Sequence, residues 1–374
     1  MPSLYILIKP ASSLCSLSCD YCFYHDIAQN RSCPSYGMMS RGTLEAIIRK
    51  ALEESEGECT FAYQGGEPTL AGLDFFIQSI ELQKKHNLKG LKISNLIQTN
   101  GYHIDDAWAE FFAANHFLAG VSLDGTKDTH DAFRKTNANE ASFKNVMESI
   151  NTLKTHRVDF NILTVVNSQT ARHIRKIYNF YKRQGFGYLQ FIPCIPPFGK
   201  ENAVEKFTLA PIAFGNFMCE LFDLWYADIE KGGAPHIRQF ENYIEMLLGY
   251  PPESCGMSGV CSNQLVIEAD GQVYPCDFYV LDGYSLGNIH EVSFSEIAEK
   301  QQNSCFVRES ASPHSNCRAC KYFGLCRGGC KRYREPRTQS GYGLNILCEG
   351  YYRFFEHSFD RLALLAGRLK GRMG

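Results

Sequence analysis

The chain has 374 residues, of which 44% are hydrophobic and 21% charged, with a formal net charge of −2. That length suits a core domain plus an extension, and ordinary hydrophobic content can bury a sizeable core. Near-neutral charge without long charge runs argues against nucleic-acid partners, and no apolar run is long enough to span a membrane. The first nine residues, up to Lys9, turn polar too soon for a signal peptide, so the expectation is a cytoplasmic protein with no membrane partner.

The apolar run Leu4 to Lys9 reads as a first strand and ends where a cysteine-rich loop begins. Ser40 to Glu54 follows as a helix with Ser40 at its N-cap, then a strand over Cys59 to Gln64 and a helix over Leu73 to His86. Leu91 to Gln98 is a strand, Ile104 to about Asn115 a helix, and Phe117 to Ser122 a strand. Ser142 to His156 is helical, Asp159 to Val166 a strand, Thr170 to Gly185 a helix, Tyr188 to Pro193 a sixth strand, and Pro211 to Lys231 a long helix. Six strand–helix alternations imply parallel strands joined by right-handed crossovers. The expected fold is α/β, an open partial (β/α)6 TIM-like barrel with its chemistry at the C-terminal strand ends. The barrel is placed at residues 1–235, a cysteine-rich domain at 236–350, and a terminal helix at 351–374.

Sixteen cysteines without a secretion signal do not read as a disulfide framework. Cys15, Cys19 and Cys22 are spaced C-x₃-C-x₂-C among the aromatics Tyr21, Phe23 and Tyr24. Three thiolates on one loop hold three irons of a cubane cluster and leave the fourth iron open; a zinc knuckle or structural thiols are the alternatives. Gly65-Gly66-Glu67-Pro68, at the second strand end, lets backbone approach a ligand or makes an ordinary turn. Farther on stand Cys255, Cys261, Cys276, Cys317, Cys320, Cys326, Cys330 and Cys348, enough for two fully ligated four-iron clusters or two zinc sites. Cys33, Cys59, Cys194, Cys219 and Cys305 are isolated and expected to be buried as small apolar residues.

The N-terminal loop resembles the signature of the radical SAM superfamily, and the later cysteines resemble the SPASM extension of peptide-modifying radical SAM enzymes. Ile8-Lys9-Pro10-Ala11-Ser12, Cys22-Phe23-Tyr24-His25 and Tyr274-Pro275-Cys276-Asp277-Phe278-Tyr279 are most similar to anaerobic sulfatase-maturating enzymes. The resemblance implies three 4Fe–4S clusters, one binding S-adenosylmethionine (SAM) and two auxiliary. The auxiliary ligands would interleave, Cys255, Cys261, Cys276 and Cys330 holding one cluster and Cys317, Cys320, Cys326 and Cys348 the other. It also implies SAM contacts from Tyr21, Gly65, Gly66, Glu67, Ser122, Arg134 and Ile195. Tyr24, Gln64 and Gln98 would line the substrate pocket, and Asp277 would be the general base. Its implied partners are a sulfatase segment of the Cys/Ser-x-Pro-x-Arg type and a flavodoxin- or ferredoxin-like electron donor. The implied reaction oxidises a sulfatase cysteine or serine to Cα-formylglycine.

One rival is a SPASM enzyme that crosslinks a ribosomal peptide through a thioether or carbon–carbon bond. Such enzymes often carry an N-terminal recognition domain, for which a first strand at residue 4 leaves no room. A non-catalytic electron carrier accounts for the later cysteines but not for an open-site loop joined to Gly-Gly-Glu-Pro.

Overall fold

A computed structural model describes residues 3–200, 204–262, 264–335, 337–338 and 341–373. In chain order it contains β1 (Leu4–Ile8), α1 (Phe23–Gln29), α2 (Arg41–Glu54), β2 (Glu58–Tyr63), α3 (Leu73–His86), β3 (Lys92–Thr99), α4 (Asp106–Ala114) and β4 (Phe117–Ser122). There follow α5 (Lys127–Asp131), α6 (Phe143–Thr155), β5 (Asp159–Val166), α7 (Ser168–Arg172), α8 (Ile174–Gln184), β6 (Tyr188–Pro193), α9 (Pro211–Ile229), β7 (His236–Ile237) and α10 (Arg238–Leu247). The short strands β8 (Leu265–Ile267), β9 (Gln272–Tyr274) and β10 (Gly287–Asn288) come next, and a helix over Cys348–Met373 ends the chain.

Two compact units are formed. The first gathers residues 1–122, 134–161 and 263–304; the second gathers 123–133, 162–262 and 305–374.

In the first unit β1, β2, β3 and β4 are parallel neighbours in that order. Crossover helices join them, as expected of the alternating pattern. Beyond β1 the sheet is extended by β8, parallel to it, and then by antiparallel β9 and β10. Helix starts follow local chemistry: Ser40 accepts the Thr43 N–H at 3.1 Å, and Asp105 accepts that of Trp108 at 3.1 Å. The core is aromatic, with the Phe76 ring edge-on to Tyr63 at 5.0 Å and to Trp108 at 5.2 Å.

In the second unit β5, β6 and β7 are parallel. α9 packs against the terminal helix where Gly215 faces Gly350; a Cβ on Gly215 would lie 2.9 Å from the Gly350 Cα. Phe240 lies between Phe222 and Phe354, with centroids at 5.3 and 5.8 Å.

The α/β class and mostly parallel sheet are as expected, and the predicted strands from β1 to β6 fall within a residue of the observed ones. Two expectations need correction. The helix expected over Thr170 to Gly185 is two, because Asn167 and Thr170 form a capping box that starts α7 at Ser168, and the chain leaves helical geometry at His173 (φ −115°, ψ 19°). From the cysteine-rich segment, β8 and β9 join the main sheet. Of the five isolated cysteines only Cys59 and Cys194 are buried; Cys33 and Cys219 are half-buried, and Cys305 is exposed with its sulfur 3.0 Å from Arg308 Nη2. Among the described residues no helix is long and apolar enough to cross a membrane.

Candidate active site and auxiliary thiols

Within the first unit, the C-terminal ends of β1 to β4 bring together Lys9, the turn Gln64-Gly65-Gly66-Glu67, Gln98-Thr99-Asn100 and Ser122. The cysteine loop leaves β1 and enters α1, so Cys22 is the N-cap of that helix and receives the backbone N–H groups of Tyr24 and His25. Cys15 Sγ accepts from the Leu17 N–H at 3.4 Å and from Asn100 Nδ2 at 3.5 Å. Arg134 Nη1 is 3.9 Å from Cys19 Sγ, and its guanidinium lies 5.6 Å from the Tyr21 ring centroid. Arg134 is therefore a buried cation beside the loop. Burial pushes the Cys15 thiol up to about 11, with Glu67 adding to the rise, and burial also raises Cys22. Three partly desolvated thiols with N–H donors and a cation around them fit an iron–sulfur cluster, whose sulfurs are stabilised by such contacts.

The Gly-Gly-Glu turn packs closely against the protein itself. The Glu67 N–H donates to the Leu14 carbonyl at 2.7 Å, which seats the turn under the cysteine loop. Gly66 has φ +53°, and a Cβ there would lie 2.2 Å from the Leu14 oxygen; one on Gly65 (φ +90°) would strike the Lys9 stem. The glycines are thus demanded by close approach of the protein to itself. Glu67 is fully buried: its Oε1 accepts from the Thr69 N–H, Thr69 Oγ1 and Thr99 Oγ1, and its Oε2 from the Asn100 N–H at 2.7 Å. It clamps the β2 end to the β3 end. Gly66→Ala is expected to lower the melting temperature, with backbone strain alone costing about 1–2 kcal/mol, and to reduce iron retained after reconstitution. An unchanged melting temperature and iron content would contradict this seating.

Asp277 follows β9 in a single 3₁₀ turn, and the rings of Phe23 and Phe278 meet at 4.7 Å. Tyr24 Oη donates to Asp277 Oδ2 at 2.5 Å, and Gln64 Nε2 donates to Tyr24 Oη at 2.7 Å and to Asp277 Oδ2 at 3.2 Å. Asp277 Oδ1 is buried and has no hydrogen-bond partner among the described residues. Burial raises the Asp277 carboxyl above the ordinary aspartate range, while the Lys9 charge and the Tyr24 and Gln64 donors pull against it. Burial, then the Asp277 charge, lift Tyr24 well above the usual phenol range, so Tyr24 keeps its proton.

A buried charge network lies beneath. Glu268 bridges Lys9 at 3.2 Å and Arg31 at 2.6 Å, and Lys9 Nζ sits 5.3 Å from the Tyr24 ring centroid. Lys9, Arg31, Glu268 and Asn100 were not singled out as functional residues from sequence. The available signal was an ion directly after each apolar strand, Lys9 after β1 and Glu268 after β8, where a surface strand would turn to solvent. Of the other predicted residues, Gln98 Nε2 donates to Ser122 Oγ at 3.2 Å, while Ile195 lies buried in the second unit.

The second unit sorts its thiols into two groups. Cys330 is raised by burial and then by Cys261 and Cys255; Cys326 is raised by burial and then by Cys348, Cys317 and Cys320. Cys255 Sγ accepts from Ser262 Oγ at 3.5 Å and Cys330 Sγ from the Arg332 N–H at 3.4 Å. Cys255, Cys261 and Cys330 thus form one group and Cys317, Cys320, Cys326 and Cys348 the other; Cys276, next to Asp277 in sequence, lies in the first unit. Among the described residues no three His, Cys, Asp or Glu side chains gather tightly enough for one metal ion.

Residues 10–181 match the radical SAM superfamily, and residues 255–321 match an iron–sulfur cluster-binding domain, SPASM. A cysteine-type anaerobic sulfatase-maturating enzyme of Clostridium perfringens is 46% identical, over 99% of this chain and all of the relative. The chain belongs to the anaerobic sulfatase-maturating enzymes. The serine-type anaerobic sulfatase-maturating enzyme of Bacteroides thetaiotaomicron is 36% identical, over 95% of this chain and 89% of that relative. The solved structure of native anSMEcpe with bound AdoMet and Cp18Cys peptide has a TM-score of 0.93 and 45% identity, covering 99% of this chain and all of that one. In this anaerobic sulfatase-maturating enzyme the radical SAM and SPASM matches lie on one chain.

Proposed function

We infer that Asp277 is the base with which this anaerobic sulfatase-maturating enzyme converts the active-site cysteine of a sulfatase to Cα-formylglycine. The observation that carries this is the carboxylate's division of labour: Oδ2 is held by Tyr24 and Gln64, and Oδ1 is buried without a partner. A desolvated acceptor of raised basicity, aimed by fixed donors, suits proton removal from a substrate thiol. Cysteine is the favoured residue because the cysteine-type relative is 46% identical and the serine-type one 36%.

Cys15, Cys19 and Cys22 would hold the SAM-binding cluster, with Tyr21, Ser122, Arg134 and the Gly-Gly-Glu backbone toward SAM. Cys317, Cys320, Cys326 and Cys348 would hold one auxiliary cluster, and Cys255, Cys261 and Cys330 contribute to a second. When bound, these groups supply the carbon radical that removes a Cβ hydrogen and accept the electron left on the substrate. Asp277 Oδ1 takes the thiol proton, and Tyr24 and Gln64 keep the carboxylate oriented as its charge changes. Lys9, partly neutralised by Glu268, offsets the carboxylate charge before transfer. Loss of the proton leaves a carbon–sulfur double bond, which water converts to the aldehyde with release of sulfide. The reduced thiols suit the cytoplasm, with a flavodoxin- or ferredoxin-like donor.

The test is anaerobic mass spectrometry of the reconstituted protein with reductant, SAM and a peptide bearing Cys-x-Pro-x-Arg, beside its serine counterpart. An aldehyde-trapping adduct at the cysteine, formed faster than at serine, is expected. SAM cleavage with both peptides unmodified would move the activity to another peptide.

A further inference from the structure

Immediately after Cys330 the chain buries three cations within four residues. Lys331, Arg332 and Arg334 are each no more than 2% exposed. Lys331 Nζ lies 3.9 Å from Glu309, and the Arg332 guanidinium stacks 3.8 Å from the Phe198 centroid while donating to the Pro196 carbonyl at 2.7 Å. Arg334 differs. Its Nη2 donates to the carbonyls of Ser310 at 2.9 Å and Gly259 at 3.3 Å, and it faces the Tyr342 ring at 5.6 Å. Among the described residues it has no carboxylate partner, and its Nε and Nη1 have no hydrogen-bond acceptor. A buried guanidinium with only carbonyl and ring contacts requires a countercharge.

That countercharge is at hand in the thiol groups. The position of a Gly328 side chain would be 3.9 Å from both the Arg334 stem and Cys317 Sγ, so the arginine and this thiol flank the same glycine. Arg334 is four residues from Cys330 in sequence, and Ser310 ties it to Cys261: the Ser310 carbonyl accepts from Arg334 Nη2 at 2.9 Å and the Ser310 hydroxyl oxygen accepts the Cys261 N–H at 2.8 Å. Cys261 and Cys330 belong to one group and Cys317 to the other. A four-iron cluster on four thiolates is anionic and gains a further negative charge on reduction, so local charge and hydrogen bonding set its potential.

We propose that Arg334 is a shared buried countercharge for the two auxiliary clusters, a positioning residue that holds both at a higher reduction potential than their thiolates alone would give. Its cation stabilises the reduced, more negative state of either cluster. Removing the charge makes both harder to reduce and so weakens them as acceptors for the substrate electron. The inference rests on assigning two clusters to these thiols, and iron and sulfide analysis of the unaltered protein checks that assignment separately.

The experiment is an anaerobic redox titration of the reconstituted full-length protein, followed by electron paramagnetic resonance, for Arg334→Gln, Arg334→Met and Arg334→Lys. At equal iron content, the Gln and Met variants are expected to show at least a tenfold lower ratio of reduced to oxidised auxiliary cluster at a set potential, about 59 mV for a one-electron couple. Arg334→Lys should stay close to the unaltered protein. Should both neutral variants lose auxiliary iron while the lysine variant keeps it, the requirement for charge is again upheld. Unshifted potentials at full iron content overturn the proposal. So does loss of iron from the lysine variant as well, which would make Arg334 a structural tie for the Gly259 and Ser310 carbonyls.

Discussion

Asp277→Asn is expected to lower aldehyde formation by roughly 10²–10⁴-fold, the usual worth of a positioned general base, while 5′-deoxyadenosine is still released on incubation with SAM and peptide. The substitution keeps the size of the side chain and an oxygen for the Tyr24 and Gln64 donors, so the pocket should stay assembled. What it removes is the acceptor at the buried, unpartnered position, since an amide does not take up a proton at neutral pH. Chromatography of 5′-deoxyadenosine beside mass spectrometry of the peptide reads the two halves of the reaction separately. Undiminished aldehyde would assign the base elsewhere; loss of both products would place Asp277 in SAM binding or folding.

The second large effect concerns the open-site loop. Cys15→Ala should reduce SAM cleavage to background while the auxiliary clusters remain, because three thiolates are the fewest that leave one iron open and still hold the cube. Cys15 is the informative choice of the three: two N–H donors, Leu17 and Asn100, converge on its sulfur and would be left without an acceptor. Cys33→Ala, which removes a half-buried thiol outside every ligand group, is the matched control and should cleave SAM normally. Iron content and 5′-deoxyadenosine are measured on both, and cleavage retained in Cys15→Ala would falsify the ligand assignment.

Features whose chemistry is local were legible in the sequence. The cysteine loop is one, since its three ligands fall within eight residues; the apolar strands and the Ser40 cap are others. Asp277 was legible only through family resemblance, because its partners Tyr24 and Gln64 are 253 and 213 positions away. The ion network was missed for the same reason: Arg31 and Glu268 are 237 positions apart, and a charged residue ending a strand reads as solvent-facing until its counterion is known. Strands of two or three residues, such as β8 and β9, carry too little periodicity to be seen. The glycines of Gly-Gly-Glu were legible as close-approach residues, but only coordinates reveal that the approaching atom belongs to Leu14.

The pairing of β8 with β1 has a consequence for how the protein is made. β1 is made long before one of its two neighbours, β8, at Leu265–Ile267. Until that stretch has been synthesised, β1 presents an unpaired edge, and Lys9 lacks the carboxylate that neutralises it. Contacts this distant in sequence close slowly and leave nascent chains open to aggregation. Asp277 arrives on the same late segment, ten residues beyond β8. A chain cut back to its first 235 residues would therefore lack both the strand that seals the sheet and the base, and should accumulate as insoluble material rather than as a minimal barrel.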